Sequence, residues 1–260
     1  MNLEGFVDTH VHLIPGVDDG PADDEALLNM LEVAHRAGTR ILVATPHMFL
    51  EPYNNTDLIA INDIYARMVH RLKDLTSRSK KRFVDELAIF VGSENYISFP
   101  FLEAVKEKRV ITLNGSRYLL VEFPLLSDPT YFSRALEQVF ENDFIPIIAH
   151  PERNVTVQDR PQIMRRLVDL GLYCQVDAAS IVGRWGKTVQ KTGVQLLREG
   201  MAHLIASDGH RAEYRRPRLD DAFDYLSRSF PQDSVSAWFF ANPRRIVENA
   251  PCLNTPSLAG

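Results

Sequence analysis

The sequence predicts an α/β fold: a parallel, TIM-like (β/α)7 barrel forming a single domain over residues 1–260. Three observations carry this expectation. Strand-like apolar runs alternate with stretches of helical period along the chain. A glycine stands between a helical stretch and the next strand at Gly38, Gly171 and Gly200, where a left-handed residue ends a helix without Cβ strain. Six of the apolar runs end in a histidine or a carboxylate, and catalytic side chains gather at the C-terminal rim of parallel barrels.

The first run, Phe6–His12 (FVDTHVH), ends in His10-x-His12. Residues two apart on a strand share a face, so both imidazoles can reach one ion. Asp8 shares that face, as a hydrogen-bond partner for the ligands or as a structural acid. The loop Leu13–Gly20 bends at Gly16 and Gly20. Asp18 or Asp19 can turn back from it as an oxygen ligand, and Asp23 or Asp24 caps the helix that follows. In Ala22–Ala37, Leu27, Met30, Leu31 and Ala34 fall at i, i+3, i+4 and i+7. Ile41–His47 ends in Thr45-Pro46-His47, where proline keeps Thr45 extended. Ile59–Leu75 repeats the helical pattern with Ile64, Met68 and Leu72. The basic Thr76–Asp85 reads as a solvated helix end and loop.

Ile89–Glu94, Tyr118–Glu122 and Ile145–His150 each end in a ligand-type residue. A further strand falls near 173–177, and His203–His210 closes with Asp208-x-His210. Helices are expected at Phe132–Phe140, Gln162–Leu170, Val189–Leu197 and Leu219–Leu226, with a helical tail at Ser234–Glu248. An open doubly wound sheet is the alternative. It would gather ligands only near a switch point, whereas here they come from early and late strands alike.

Bulk properties exclude several function classes. A net charge of −5 offers no basic field for nucleic acid. No apolar stretch approaches the roughly 20 residues that span a bilayer, so the protein is expected not to be membrane-embedded. The start lacks the basic and apolar regions of a secretory signal. Cys174 and Cys252 make no disulfide framework, which suits a cytoplasmic location. Neither cysteine has an arginine six positions on, so a Cys-x5-Arg phosphate loop is absent.

Glu94 and Glu122 follow apolar runs, where an unpaired charge is costly to desolvate; a cation or a salt bridge would remove that cost. Arg153 lies three residues after His150, and its planar fork suits a phosphoryl group. Arg211, Arg215, Arg216 and Arg218 crowd one loop, one of them for an anion and the others for the surface. Histidine and carboxylate ligands without thiolate suit Mn²⁺, Fe²⁺, Zn²⁺ or Co²⁺. Five histidines and four carboxylates are enough for three ions. The ions would bring about +6 against about −4, a pocket that favours an anionic substrate such as a phosphate ester.

In this order, His10-x-His12, Asp18-Asp19-Gly20, Thr45-Pro46-His47, Glu94, Glu122, His150-Pro-Glu-Arg153 and Ser207-Asp208-x-His210 resemble the PHP (polymerase and histidinol phosphatase) superfamily. Within it, HLIPGVDDG, ATPHMF, VEFP, AHPERN, SDGH and Ala241-Asn-Pro243 look like the CpsB/YwqE branch of bacterial protein-tyrosine phosphatases, over about residues 6–248. The resemblance implies a distorted (β/α)7 barrel with three divalent ions, manganese preferred. It implies one ion on His10, His12, Glu94 and Asp208, a second on Glu94, Glu122 and His150, and a third on Asp19, His47 and His210. It favours Asp19 over Asp18 and matches Arg153 and Arg215 to phosphoryl contacts, with Arg216 adjacent to the second. The implied partner is a phosphotyrosine-bearing protein, the tail of a bacterial tyrosine kinase controlling capsule or exopolysaccharide export. The expected mechanism is direct hydrolysis by a metal-bridging hydroxide. The tyrosyl oxygen, with a pKa of about 10, would leave without a dedicated acid. Phe49 and Tyr53, in Met48–Asn55, would stack on the phosphotyrosine ring or pack locally. Competing readings are a small-molecule phosphatase such as histidinol-phosphate phosphatase, a nuclease, and a metal-stabilised binding module without turnover.

Overall fold

A computed structural model describes residues 4–53, 55–79 and 82–253, with 77–79 as backbone only. Residues 1–3 and 254–260 of the expected unit, Asn54 of the loop after His47, and Lys80 and Lys81 of the basic run lie outside the described residues.

The described strands are β1 (Phe6–Val11), β2 (Thr39–Ala44), β3 (His47–Met48), β4 (Ala88–Val91), β5 (Glu94–Tyr96), β6 (Tyr118–Glu122), β7 (Ile145–Ala149), β8 (Tyr173–Asp177) and β9 (Leu204–Ala206). They pair in parallel, in the orders β1-β2-β4 and β3-β5-β6-β7-β8-β9. Val11 bridges Gly209 in parallel. The His12 amide donates to the Gly209 carbonyl and the Asp208 amide to the His10 carbonyl, each at 2.9 Å. The last run therefore meets the first, in a distorted TIM-like barrel.

These segments correspond to the seven expected runs, two of which are interrupted. Ala44 faces Val91 and His47 faces Glu94, so β2–β3 and β4–β5 keep one register across Thr45-Pro46 and Gly92-Ser93. Proline has no N–H for the ladder. Local bonds bridge the gap: Val11 N donates to Thr45 Oγ1 at 3.0 Å, and Glu94 N to the Pro46 carbonyl at 3.0 Å.

The helical expectations map onto helices at Asp24–Arg36, Leu58–Ser79, Ser133–Glu141, Ile163–Asp169, Lys187–Arg198 and Asp220–Ser227. Asp23 is the cap of the first, accepting from Ala26 N at 2.9 Å. Gly38, Gly171 and Gly200 all have positive φ. Sequence periodicity missed Phe99–Lys106, whose apolar FPFLEAVK has little helical contrast; its signal was the Ser98 cap and the proline behind it. The expected tail is broken into Gln232–Ser236, a π turn at Ala237–Ala241 and Asn242–Val247. Phe239 and Phe240 pack on Phe6 at the start of β1, and Asn242 Nδ2 donates to the His203 carbonyl just ahead of β9. The tail thus covers the N-terminal end of the strands.

Alternation along the strands layers the interior. Tyr118 and Leu120 share a face with Glu122 along β6. Val7, Ile41, Tyr118, Leu120, Ile147 and Leu204 belong to one buried apolar cluster. It forms a floor, with the polar strand ends above it.

Candidate metal centre

Each expected ligand lies at the C-terminal end of a strand or in the loop beyond it, His47 and Glu94 opening the short β3 and β5 that continue β2 and β4, and the fold brings all nine together. His10 and His12 are fully buried, with their Nε2 atoms 3.3 Å apart. Glu94 lies at the middle. Its Oε2 is 3.3 Å from His10 Nε2, 3.4 Å from His12 Nε2 and 3.0 Å from His47 Nδ1, while its Oε1 is 2.9 Å from His150 Nε2. Glu122 stands 3.9 Å from His150 and 4.0 Å from His47. Asp208 Oδ1 is 3.4 Å from His10 and 3.5 Å from His12.

Among the described residues, three groups have donor atoms close enough to hold one ion each: His12, Asp19, His47 and His210; His10, His12 and Asp208; and His47, Glu94 and Glu122. This partition overlaps the one the resemblance implies but differs at three points: Glu94 does not join the group of His10, His12 and Asp208, and the other two concern histidines. His12 is shared between two groups, and His47 stands beside Glu94 and Glu122, where His150 was expected.

The Asp18–Asp19 pair divides cleanly. Asp18 Oδ2 accepts from His12 Nδ1 at 2.7 Å and from the His47 amide at 3.0 Å, and its Oδ1 accepts from Gly20 N at 2.9 Å. Asp18 is occupied in orienting His12 and folding the loop. A Cβ on Gly20 would sit 2.9 Å from the His12 carbonyl oxygen, so this bend needs glycine. Asp19 instead presents Oδ1 to His210 Nε2 at 3.2 Å and His47 Nε2 at 3.6 Å.

Gln175, which the sequence reading did not single out, accepts at Oε1 from His10 Nδ1 at 2.8 Å. That bond directs Nε2 of His10 toward the carboxylates. Asp8 does not serve this purpose; it ties β1 to the last run through Ser207 N at 3.0 Å and Ser207 Oγ at 2.6 Å. Gln175 leaves no ligand-type mark on β8, and only its place two residues before Asp177 could have signalled it. His150 and Asp208 both hold left-handed backbone. His150 precedes proline, which disfavours the right-handed helical alternative.

Two arginines close one side. Arg153 Nη1 lies 2.8 Å from Asp208 Oδ2 and 3.4 Å from Asp177 Oδ2, and Arg215 Nη2 lies 2.7 Å from the same Asp208 oxygen. Both guanidinium groups lie over the Trp185 ring, at 4.8 and 5.8 Å from its centroid. Arg216 points elsewhere, its Nε donating to the Glu213 carbonyl at the surface. Arg211 supports the Asp19 carbonyl, and Arg218 pairs with Asp220. Behind Arg153, the fully buried Glu152 accepts from the Asp177 amide at 3.0 Å. Of the two aromatic side chains after His47, Phe49 packs near Phe101 in the core and Tyr53 lies parallel to His47, centroids 5.4 Å apart.

The electrostatics are those of a closely packed mixture of acids and bases. Burial opposes the charge on His10, but Glu94 and Asp208 outweigh it and raise its pKa to about 9. Burial likewise opposes the charge on His12, and Asp18 leads the effects that raise it. Burial pushes Glu94 upward, yet His10 and His47 bring it well below the usual carboxylate range. Burial and the neighbouring Glu94 charge raise Glu122 to about 7. Burial and Arg153 lower His150 to about 4. Even so, Asp19 Oδ1, His47 Nδ1, Glu94 Oε2, Glu122 Oε2, His150 Nδ1, Asp208 Oδ1 and His210 Nε2 are buried without a well-aligned hydrogen-bond partner. Each such atom costs about 1–3 kcal/mol. Convergent lone pairs from imidazole and carboxylate, with no thiolate, are the donor set of a divalent cation. The residues present therefore fit a metal centre.

Known proteins bear on this arrangement. The chain matches the family described as capsular polysaccharide synthesis, CpsB/CapC, over residues 6–248. It is 28% identical to tyrosine-protein phosphatase YwqE of Bacillus subtilis (strain 168), over 95% of this chain and 91% of that protein. It is 32% identical to the putative tyrosine-protein phosphatase CapC of Staphylococcus aureus, over 84% and 82%. A crystal structure from work on YwqE of B. subtilis and CpsB of Streptococcus pneumoniae, described as unique metal-dependent tyrosine phosphatases, superposes with a TM-score of 0.86 at 26% identity, covering 96% of this chain and 98% of that one. An amidohydrolase from Mycoplasma synoviae shares the fold alone, with a TM-score of 0.57 at 14% identity, covering 97% and 90%. With the family match spanning nearly the whole described barrel, and every expected strand-end ligand inside it, this chain belongs to the CpsB/CapC family.

Proposed function

We propose that the chain is a metal-dependent protein-tyrosine phosphatase that hydrolyses phosphotyrosine on the tail of a bacterial tyrosine kinase governing capsule or exopolysaccharide synthesis. The observation that carries this reading is the cluster of buried, unpartnered nitrogen and oxygen atoms beside two arginines that share Asp208. His10, His12, Asp19, His47, Glu94, Glu122, His150, Asp208 and His210 would hold three divalent ions, manganese preferred. When bound, such ions lower the pKa of coordinated water and neutralise phosphoryl oxygens. Arg153 and Arg215 bind and orient the phosphoryl group. Asp177, Glu152 and Trp185 hold those arginines in place, and the tyrosyl oxygen leaves unaided. A cytoplasmic site of action agrees with two unpaired cysteines. Among the described residues no helix is long and apolar enough to cross a membrane.

A protein substrate is supported by the rim. Phe99 after β5, Leu126 and Tyr131 after β6, Trp185 after β8 and Tyr214 after β9 are all exposed, and all lie beyond strand C-terminal ends. A purified sample should release phosphate from a phosphotyrosyl peptide, lose that activity to a chelator and recover it with Mn²⁺. A kcat/KM on histidinol phosphate far above that on phosphotyrosine would replace this reading with the small-molecule one.

Metal uptake should also depend on pH. A histidine must lose its proton to coordinate. His10 keeps its proton up to about 9 in the metal-free protein, so at neutral pH an ion must displace it. Apparent affinity should rise as pH rises through that range, by about tenfold per pH unit per proton displaced, and then flatten. Calorimetry in buffers of different ionisation enthalpy counts the released protons. Uptake that releases none below that pH would contradict the assignment of His10.

A further inference from the structure

Beside Arg215 the site opens into a groove of about 250 Å³ between the segment after β8 and the loop after β9. Ala179 and Val182 contribute apolar surface, Trp185 and Tyr214 aromatic surface, and Arg184 and Arg216 charge. The groove is continuous with the phosphoryl site because Trp185 lines it and also lies against both Arg153 and Arg215.

Its charge runs against that of the whole chain, which is −5. Four arginines line it against Glu213 and Asp221. Arg215 and Arg218 are committed to Asp208 and Asp220. Arg184 and Arg216 are exposed and form no ion pair among the described residues. Guanidinium groups beside exposed aromatic rings recognise carboxylates on a polypeptide, with the rings supplying contact area. A phosphoryl site alone accepts any accessible phosphate monoester, so discrimination needs contacts of this kind beyond the reacting group.

We propose that this groove holds the residues flanking the phosphotyrosine, and that Arg184 and Arg216 select acidic side chains there. The inference rests on the phosphatase reading above and names its substrate class: phosphotyrosyl polypeptide with acidic flanks. Both arginines are exposed, and Arg216 Nε donates to the Glu213 carbonyl rather than to a group of the metal site, so their replacement is expected to leave the reacting centre intact.

The test compares p-nitrophenyl phosphate, a phosphotyrosyl peptide with glutamates on both sides, and the same peptide with glutamines, in the Mn²⁺-loaded protein. Wild type should favour the acidic over the neutral peptide by about tenfold in KM, a preference that shrinks with added salt. In Arg184→Gln/Arg216→Gln that preference should fall to about one, while kcat and turnover of p-nitrophenyl phosphate stay unchanged. Equal use of both peptides by wild type would overturn the groove assignment alone. So would a variant that slows all three substrates equally. Absence of turnover on every phosphotyrosyl substrate would overturn the phosphatase reading itself, and this inference with it.

Discussion

Glu94→Gln should reduce kcat on a phosphotyrosyl peptide on the order of 10³-fold and lower the bound metal content. Glutamine keeps the volume of the side chain, so the effect isolates charge. Glu94 is 1% exposed and lies within 3.4 Å of four imidazoles, those of His10, His12, His47 and His150. A neutral amide there would leave the cluster short of a bridging anion and would turn an N–H toward groups that should present lone pairs. Elemental analysis of the purified variant measures the metal loss, and circular dichroism shows whether the barrel is intact. Wild-type metal content together with a wild-type rate would remove Glu94 from the centre of the site.

Arg153→Ala should have the second largest effect, lowering kcat/KM by about 10²- to 10³-fold. Two causes combine. The variant loses the proposed forked donor for the phosphoryl oxygens. It also strips Asp177 of its guanidinium partner at 3.4 Å, leaving a fully buried carboxylate beside Glu152. Uncompensated buried charge of this kind costs about 3–5 kcal/mol, although protonation limits the loss. Burial already raises the Asp177 pKa well above the carboxylate range and that of Glu152 to about 7. The sign follows from those raised values: a carboxyl whose folded pKa exceeds its unfolded one is least costly when protonated. The melting temperature of the variant should therefore recover toward wild type on acidification through neutral pH, and thermal melts across that range would show it. Arg153→Lys restores charge but not the planar fork, so it should recover stability more than rate. A variant with unchanged kcat/KM would place the phosphoryl contact elsewhere.

Much of this centre was legible in the chain because it is built from local patterns. The alternation of strands with helices, and the side-chain period of two within strands, set which residues end at one rim and which face inward. His10-x-His12 follows from that period; Asp208-x-His210, past the end of β9, owes its aim to the left-handed backbone at Asp208. The interruption of two strands was not visible: Pro46 read as keeping the chain extended, and the retained register across Thr45-Pro46 and Gly92-Ser93 depends on neighbouring strands. The helix at Phe99–Lys106 escaped because a segment apolar on several sides has weak periodicity.

What only the tertiary structure decided were choices between chemically identical neighbours and contributions from residues without ligand chemistry. Asp18 and Asp19 are the same residue type in one loop; the His12 ring and the His47 amide, from other parts of the barrel, claim Asp18 and leave Asp19 facing His210. Arg215 reaches Asp208 while Arg216 turns to the surface. Gln175 acquires its role through a contact 165 residues away in sequence. The sequence by itself determined the ring of donors, because strand ends and side-chain alternation are local properties. Tertiary structure assigned their orientation, because each hydrogen bond that orients a ring or carboxylate comes from a segment brought near only when the barrel forms.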